Sequence, residues 1–201
     1  MRQKLLCAGM ALYSSGMQTV VSLLRAVNVG GHAVIKMADL KELYESLKFR
    51  DVQTYVQSGN VVFRTESADL GVIAAKIQAG IQKRFRVTPG VMLRTLDDLR
   101  RIVKKNPFAK RPGIEPSKLH VYFLNNVLSR PAVADLRKLP LNPEELIPSN
   151  GELFIYFPNG AGKSKLPWKK VEKICTAPGT ARNWNTVTKL LEMAEQLDSS
   201  N

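Results

Sequence analysis

The chain has 201 residues and a formal net charge of +13, from 30 Lys plus Arg against 17 Asp plus Glu. A chain of that length can bury one large core or two small ones without disulfide or metal staples. It contains no run of about 18 apolar residues, which leaves no helical membrane span. Two distant cysteines, Cys7 and Cys175, form neither a disulfide framework nor a zinc site and fit a reducing, cytoplasmic compartment.

The first sixteen residues, MRQKLLCAGMALYSSG, have early positive charges and a short apolar stretch. That stretch runs only from Leu5 to Tyr13 and lacks a small-x-small cleavage site, so it reads as a disordered extension or upstream start before Met17 rather than a signal peptide. From Val20 to Val27 the run VVSLLRAV ends at Asn28-Val29-Gly30-Gly31, a buried strand entering a turn. Met37, Leu40, Leu43, Tyr44 and Leu47 fall at helical spacing. Val52 to Phe63 gives two β-rich runs about Ser58-Gly59-Asn60, the signature of a hairpin. Leu70, Ile73, Ala74, Ile77, Ile81 and Phe85 mark a second amphipathic helix, and Val91 to Arg94 a fourth strand. The order βαββαβ predicts a ferredoxin-like unit over residues 17–94, an antiparallel sheet with both helices on one face.

A basic helix follows from Leu96 to Lys105, with Thr95 and Asp98 as a capping box and Asn106-Pro107 as its stop. Lys118 to Leu124 reads as a strand and Val133 to Leu139 as a helix. Glu145 to Ser149 and Leu153 to Phe157 are two strands about Asn150-Gly151. Helices close the chain, the last carrying Trp184, Val187, Leu190, Leu191, Ala194 and Leu197 on its apolar side. The fold class is therefore α+β, with a second unit over residues 95–201 that runs βαββα, an incomplete echo of the first.

Three segments, LLRAVNVGGHAVIKMADL, TYVQSGNVVF and TARNWNTVTKL, resemble signature stretches of the domain-of-unknown-function family 1697. The likeness runs from Met17 to about Leu197. It implies a ferredoxin-like subdomain and brings no activity, cofactor or catalytic residue. Ala26 stands where that family usually has Gly, and Ala181 where Thr is common, which bears on close backbone approach.

The chemistry must then come from the residues. Gly160-Ala161-Gly162-Lys163-Ser164 looks like a phosphate-binding loop, but Phe157 stands where its first glycine belongs, Pro158 removes an amide, and no second strand ends in an Asp for magnesium. A Gly-rich loop with one lysine retains at most a modest anion-binding capacity. Asn28, Gly30 and Gly31, flanked by Arg25 and Lys36, form a second candidate anion loop; the structural alternatives are that Asn28 satisfies its own turn and Arg25 pairs with a carboxylate. Ser58 and Asn60 read as hairpin residues.

Arg182, Asn185 and Lys189 fall at i, i+3 and i+7 on one helical face, and with Asn183 and Thr186 they could grip phosphate or carboxylate. Trp184 belongs to the apolar series of that helix. Arg100, Arg101, Lys104 and Lys105, followed by Lys110 and Arg111, make a basic patch suited to phosphate backbones, with little aromatic interleaving. Two histidines, His32 and His120, build no metal centre, and no nucleophile sits in a recognisable catalytic context. No cofactor or metal is implied. The expectation is a non-enzymatic binding module for nucleic acid or another phosphate-bearing ligand. The alternatives are an enzyme acting on a small phosphorylated or nucleotide-like substrate and a homo-oligomeric assembly protein.

Overall fold

A computed structural model describes residues 16–28 and 34–200. Gly30, Gly31, His32 and the N-terminal segment through residue 15, Cys7 included, lie outside the described residues.

The first half is β1 (Gln18–Arg25), α1 (Met37–Ser46), β2 (Arg50–Tyr55), β3 (Asn60–Thr65), α2 (Leu70–Phe85), β4 (Gly90–Thr95) and α3 (Leu96–Lys104). The second is β5 (Leu119–Phe123), α4 (Arg130–Arg137), β6 (Glu145–Ser149), β7 (Glu152–Tyr156), α5 (Trp168–Cys175), β8 (Thr180–Asn183) and α6 (Trp184–Ser199). Each half builds a four-stranded antiparallel sheet, ordered β2-β3-β1-β4 and β6-β7-β5-β8. The two orders are the same ferredoxin-like order, and each half adds one helix after its fourth strand.

This corrects the second unit: β8 completes it as βαββαβ, so the echo is full. The segment Thr180–Asn183 is only four residues long and holds no apolar residue larger than alanine, so periodicity gives it no strand signal. It becomes a strand by pairing with β5, Phe123 opposite Thr180 and Val121 opposite Arg182. The closing helix accordingly begins at Trp184, capped by Asn183, whose side chain accepts from Thr186 N.

Local chemistry sets the other boundaries. Thr95 and Asp98 form the expected capping box of α3. Asp69 caps α2 by accepting from Gly71 N and Val72 N, and its apolar face is Ile73, Ile77 and Ile81. Ser129 caps α4 with Pro131 in its first turn, so that helix starts ahead of the expected Val133.

Six successive residues of β1 are buried because helices cover both faces of its sheet. On one face α1 and α2 enclose Val20, Leu40, Tyr44, Phe63 and Ile77; on the matching face of the other sheet α4 and α5 enclose Leu136, Leu153, Ile155 and Val171. The remaining faces share a third core, in which Val21, Leu23 and Val62 meet Val121, Phe123 and Phe154 around Leu99 and Ile102 of α3 and Val187, Leu190 and Ala194 of α6. Trp184 packs against this core, its ring 6.4 Å from Phe154, in agreement with the apolar series. Among the described residues no helix is long and apolar enough to cross a membrane.

Two tight backbone positions test this reading. Gly59 has φ +70°, and a Cβ there would lie 2.8 Å from Leu24 Cβ, so Gly59→Ala should lower stability by about 1–3 kcal/mol. Ala26 has φ 60°, a left-handed conformation that glycine adopts without strain, at the position where Gly is usual in the family it resembles. Ala26→Gly should raise the urea midpoint by the equivalent of up to about 1 kcal/mol.

Candidate functional site

The two sheets are fastened by two buried arginines at matching positions. Arg94 pairs with Val21 at the centre of one sheet, and Arg182 with Val121 at the centre of the other. Each reaches into the opposite half. Arg94 Nε donates to Glu152 Oε1 at 2.9 Å, and its Nη2 donates to Leu124 O at 2.8 Å and Gly151 O at 3.1 Å. Arg182 Nε donates to Asn60 Oδ1, and its Nη2 donates to Leu24 O at 2.9 Å and Ser58 O at 2.8 Å. Asn60 and Glu152 correspond in turn, each opening the third strand of its half opposite Leu23 or Phe123.

The arrangement is a pseudo-twofold pair of clamps, each guanidinium gripping the other half's hairpin. Arg94 and Arg182 are 8% and 7% exposed, Glu152 1% and Asn60 0%.

The clamps differ in charge. Glu152 also accepts from Arg101 Nη1 at 3.1 Å, and Arg101 Nη2 donates to Asp98 Oδ1 at 3.2 Å, so two guanidiniums and two carboxylates form one network. Arg182 has only neutral partners, and burial pushes its guanidinium down to about 10, still protonated at neutral pH. Asn60 cannot be exchanged for a carboxylate at no cost, because its Nδ2 donates to Tyr55 O at 3.0 Å and Ser58 Oγ at 2.9 Å.

Beside the Arg94 clamp lies a cavity of about 410 Å³, walled by α2 and β4 on one side and by Asn125, Asn126 and the Asn150-Gly151 turn on the other. Arg94, Arg101, Asp98 and Glu152 face it, and it falls within the usual size range of small-molecule sites.

The residues singled out from the sequence are not gathered in one place. Arg182 lies in β8 and not on a helical face with Asn185 and Lys189, a correction forced by the strand pairing. All five of its N–H donors are used, the last two by Thr180 Oγ1 and Ala181 O at 2.8 Å each. Asn183 is the cap of α6, and Lys189 pairs with Glu192 at 2.7 Å. Arg25 bonds Gly179 O and Glu172, and Asn28 fastens its own loop, donating to Ile35 O and Gln57 O while accepting from Ile35 N. Both take their structural alternatives. Lys36 is exposed at the N-cap of α1.

In the α3 patch Arg100 is matched by Asp97 and Glu195, Arg101 by Asp98 and Glu152 and Arg111 by Glu145, so Lys104, Lys105 and Lys110 remain exposed without an ion pair among the described residues. The Gly160–Ser164 segment forms a short 3₁₀ turn, Ala161–Lys163, rather than the start of an α-helix, which agrees with its rejection as a nucleotide loop. His120 stacks edge-on against Phe157 at 5.2 Å, and burial holds its imidazole below the ordinary histidine range.

In the sequence Arg94 reads as the end of a strand and Glu152 as the residue between the Asn150-Gly151 turn and the next strand, so neither presents itself as a site residue. Their signal is a charge inside a buried apolar run, VMLRT and ELFIY, where an ion must have a partner.

Three substitutions test the two clamps. Glu152→Ala leaves two guanidiniums without their shared carboxylate and should cost about 3–5 kcal/mol in urea unfolding, and Arg182→Lys should fail to preserve its clamp because an ammonium has three donors and no planar fork. Burial raises the Asp98 carboxyl, but hydrogen bonds from Thr95 N and from Arg101 outweigh it and hold the group below the usual carboxylate range. Its stabilising contribution is therefore complete above the unfolded value of about 4 and lost as pH falls through the lower folded value. The difference in urea midpoint between the natural chain and Asp98→Asn should thus be larger at pH 7 than at pH near 2.

Comparison with known proteins fits this architecture. A family model described as "Protein of unknown function (DUF1697)" matches residues 17–154, ending before the C-terminal TARNWNTVTKL segment. The structure of conserved bacterial protein SP0830 from Streptococcus pneumoniae is similar in fold, with a TM-score of 0.67 and 21% identity over 89% of this chain and 99% of that one. A search of curated proteins found no match. These likenesses bring no activity with them. With more than half of its length under the family model and the two-sheet α+β fold in place, the chain belongs to the DUF1697 family of proteins of unknown function.

Proposed function

We propose that the protein is a non-enzymatic binding module for the phosphate backbone of nucleic acid, and that its contact surface is the outer helical layer of the second half. The observation that carries this reading is where the excess positive charge lies. Helices α4 and α5 pack side by side on one sheet face. Their solvent side presents Arg130, Arg137, Lys169, Lys170 and Lys173, all exposed and without an ion pair among the described residues. Lys163 and Lys165, also exposed, precede α5. The acidic residues of those two helices are committed: Asp135 pairs with Lys138, and Glu172 is held by Arg25 and by the Tyr122 hydroxyl.

The charge distribution favours α4 and α5 over α3 for this contact, because carboxylates match the two arginines of α3. Unpaired lysines on a rigid helical layer release counterions when they meet phosphates, which drives binding that weakens with salt and reads little sequence. Trp168 is packed into the core against Tyr122, ring centres 5.2 Å apart, and so supplies no free stacking platform. The reading therefore favours contact with the phosphate backbone over base recognition.

The test is fluorescence anisotropy with single-stranded and duplex DNA and RNA across salt concentrations. Replacing Lys169, Lys170 and Lys173 by Glu should weaken binding to every sequence alike and reduce the slope of log affinity against log salt by roughly 2–3. Lys104→Glu should change it little. No binding at low salt, or an unchanged slope in the triple variant, overturns the reading.

A further inference from the structure

The pseudo-twofold repeats the crevice beside each clamp as well as the clamp itself, and the two crevices are finished differently. Four residues beyond the centre of the first strand stands Arg25 in one half and Asn125 in the other. Arg25 bridges its crevice: Nε donates to Gly179 O at 3.0 Å and Nη2 to Glu172 Oε1 at 3.1 Å, on the facing helix α5. Asn125 makes the corresponding contact, Nδ2 to Val91 O at 3.3 Å, and its shorter side chain goes no further. The helix facing it is α2, which offers Gly71 and Ala74 there and no carboxylate. The consequence is the cavity of about 410 Å³ beside Arg94.

The chemistry of this cavity selects a class of ligand. Arg94 and Arg101 are balanced by Asp98 and Glu152, so the walls carry no net charge and do not favour an ion. Donor capacity remains on these walls. Arg94 commits four of its five N–H donors and leaves one on Nη1, and the Nε–H of Arg101 has no partner among the described residues. Asn126 also lines the crevice, its Nδ2 donating to Cys175 O at 2.9 Å. The opposite wall, with Leu70 and Ala74, is apolar.

We propose that this crevice binds an uncharged small molecule of nucleoside size, whose carbonyl or ring nitrogen accepts from Arg94 or Arg101 and whose apolar body lies against α2. The site is separate from the lysine surface on α4 and α5 and stands or falls independently of it.

The probes are adenosine, guanosine, cytidine and uridine, titrated into the full chain by calorimetry and by two-dimensional NMR. Saturable binding of at least one nucleoside, with shifts at the Asn126 side-chain amide and the Arg101 Nε–H, is the expected result. Asn125→Arg, at an exposed position, copies the side chain that bridges the other crevice and should weaken that binding at least tenfold without lowering the melting temperature. The double variant Asn125→Arg, Ala74→Glu rebuilds a bridge of the Arg25–Glu172 type and should abolish it. Lack of saturation by all four nucleosides at millimolar concentration overturns the proposal. So does binding that survives Asn125→Arg in a folded variant, or tighter binding of the charged nucleoside monophosphates than of the nucleosides.

Discussion

Everything in this fold depends on holding two similar sheets at a fixed relation, and the contacts specific enough to do so are the buried guanidiniums of Arg94 and Arg182. Apolar packing between β1, β5, α3 and α6 provides attraction, but it is not directional and tolerates sliding. A planar guanidinium with donors committed to a side-chain oxygen and to backbone carbonyls of the opposing hairpin tolerates very little. Any shift of one sheet would take these guanidinium donors away from Leu24 O, Ser58 O and Leu124 O.

The clamps also explain why the hairpins have the chemistry they do. Asn60 is a turn residue, as its sequence context suggests, and at the same time the acceptor for Arg182; the amide is the group that can donate to its own turn while accepting from the arginine. Glu152 has no such local duty and is free to be a carboxylate shared by Arg94 and Arg101. One half thus has a charge-balanced clamp, and the other a guanidinium held by neutral groups alone. Burying ions without counterions is costly, so the latter persists because every donor is satisfied.

A symmetric scaffold with asymmetric details gives a natural place for function to differ between halves. The outer helices of the first half pair Lys41 with Glu45 and Arg84 with Glu42 and leave Lys76 and Lys83 without an ion pair among the described residues, whereas those of the second half leave Arg130, Arg137, Lys169, Lys170 and Lys173 so. The crevice beside Arg182 is bridged by Arg25, and the one beside Arg94 is not. In both comparisons the backbone is common to the two halves, and the side chains decide.

By itself the sequence determined most of the local structure, because periodicity, caps and turns act over a few residues: the amphipathic face of α2, the Thr95–Asp98 box and the Asn150-Gly151 turn needed no distant partner. It also determined the family resemblance and the rejection of Gly160–Ser164 as a nucleotide loop, since a missing glycine is visible in one dimension. Only the tertiary structure decided that Thr180–Asn183 is a strand, because four residues with no large apolar side chain gain their order from the ladder with β5. It likewise decided that Arg182 is a clamp, that Arg100 and Arg101 are neutralised, and that Asn125 stands opposite small residues where Arg25 stands opposite Glu172. Each of these turns on groups from about 50 to 160 residues apart in sequence, except the i,i+3 pairs within α3, and a partner at that separation leaves no local pattern to read.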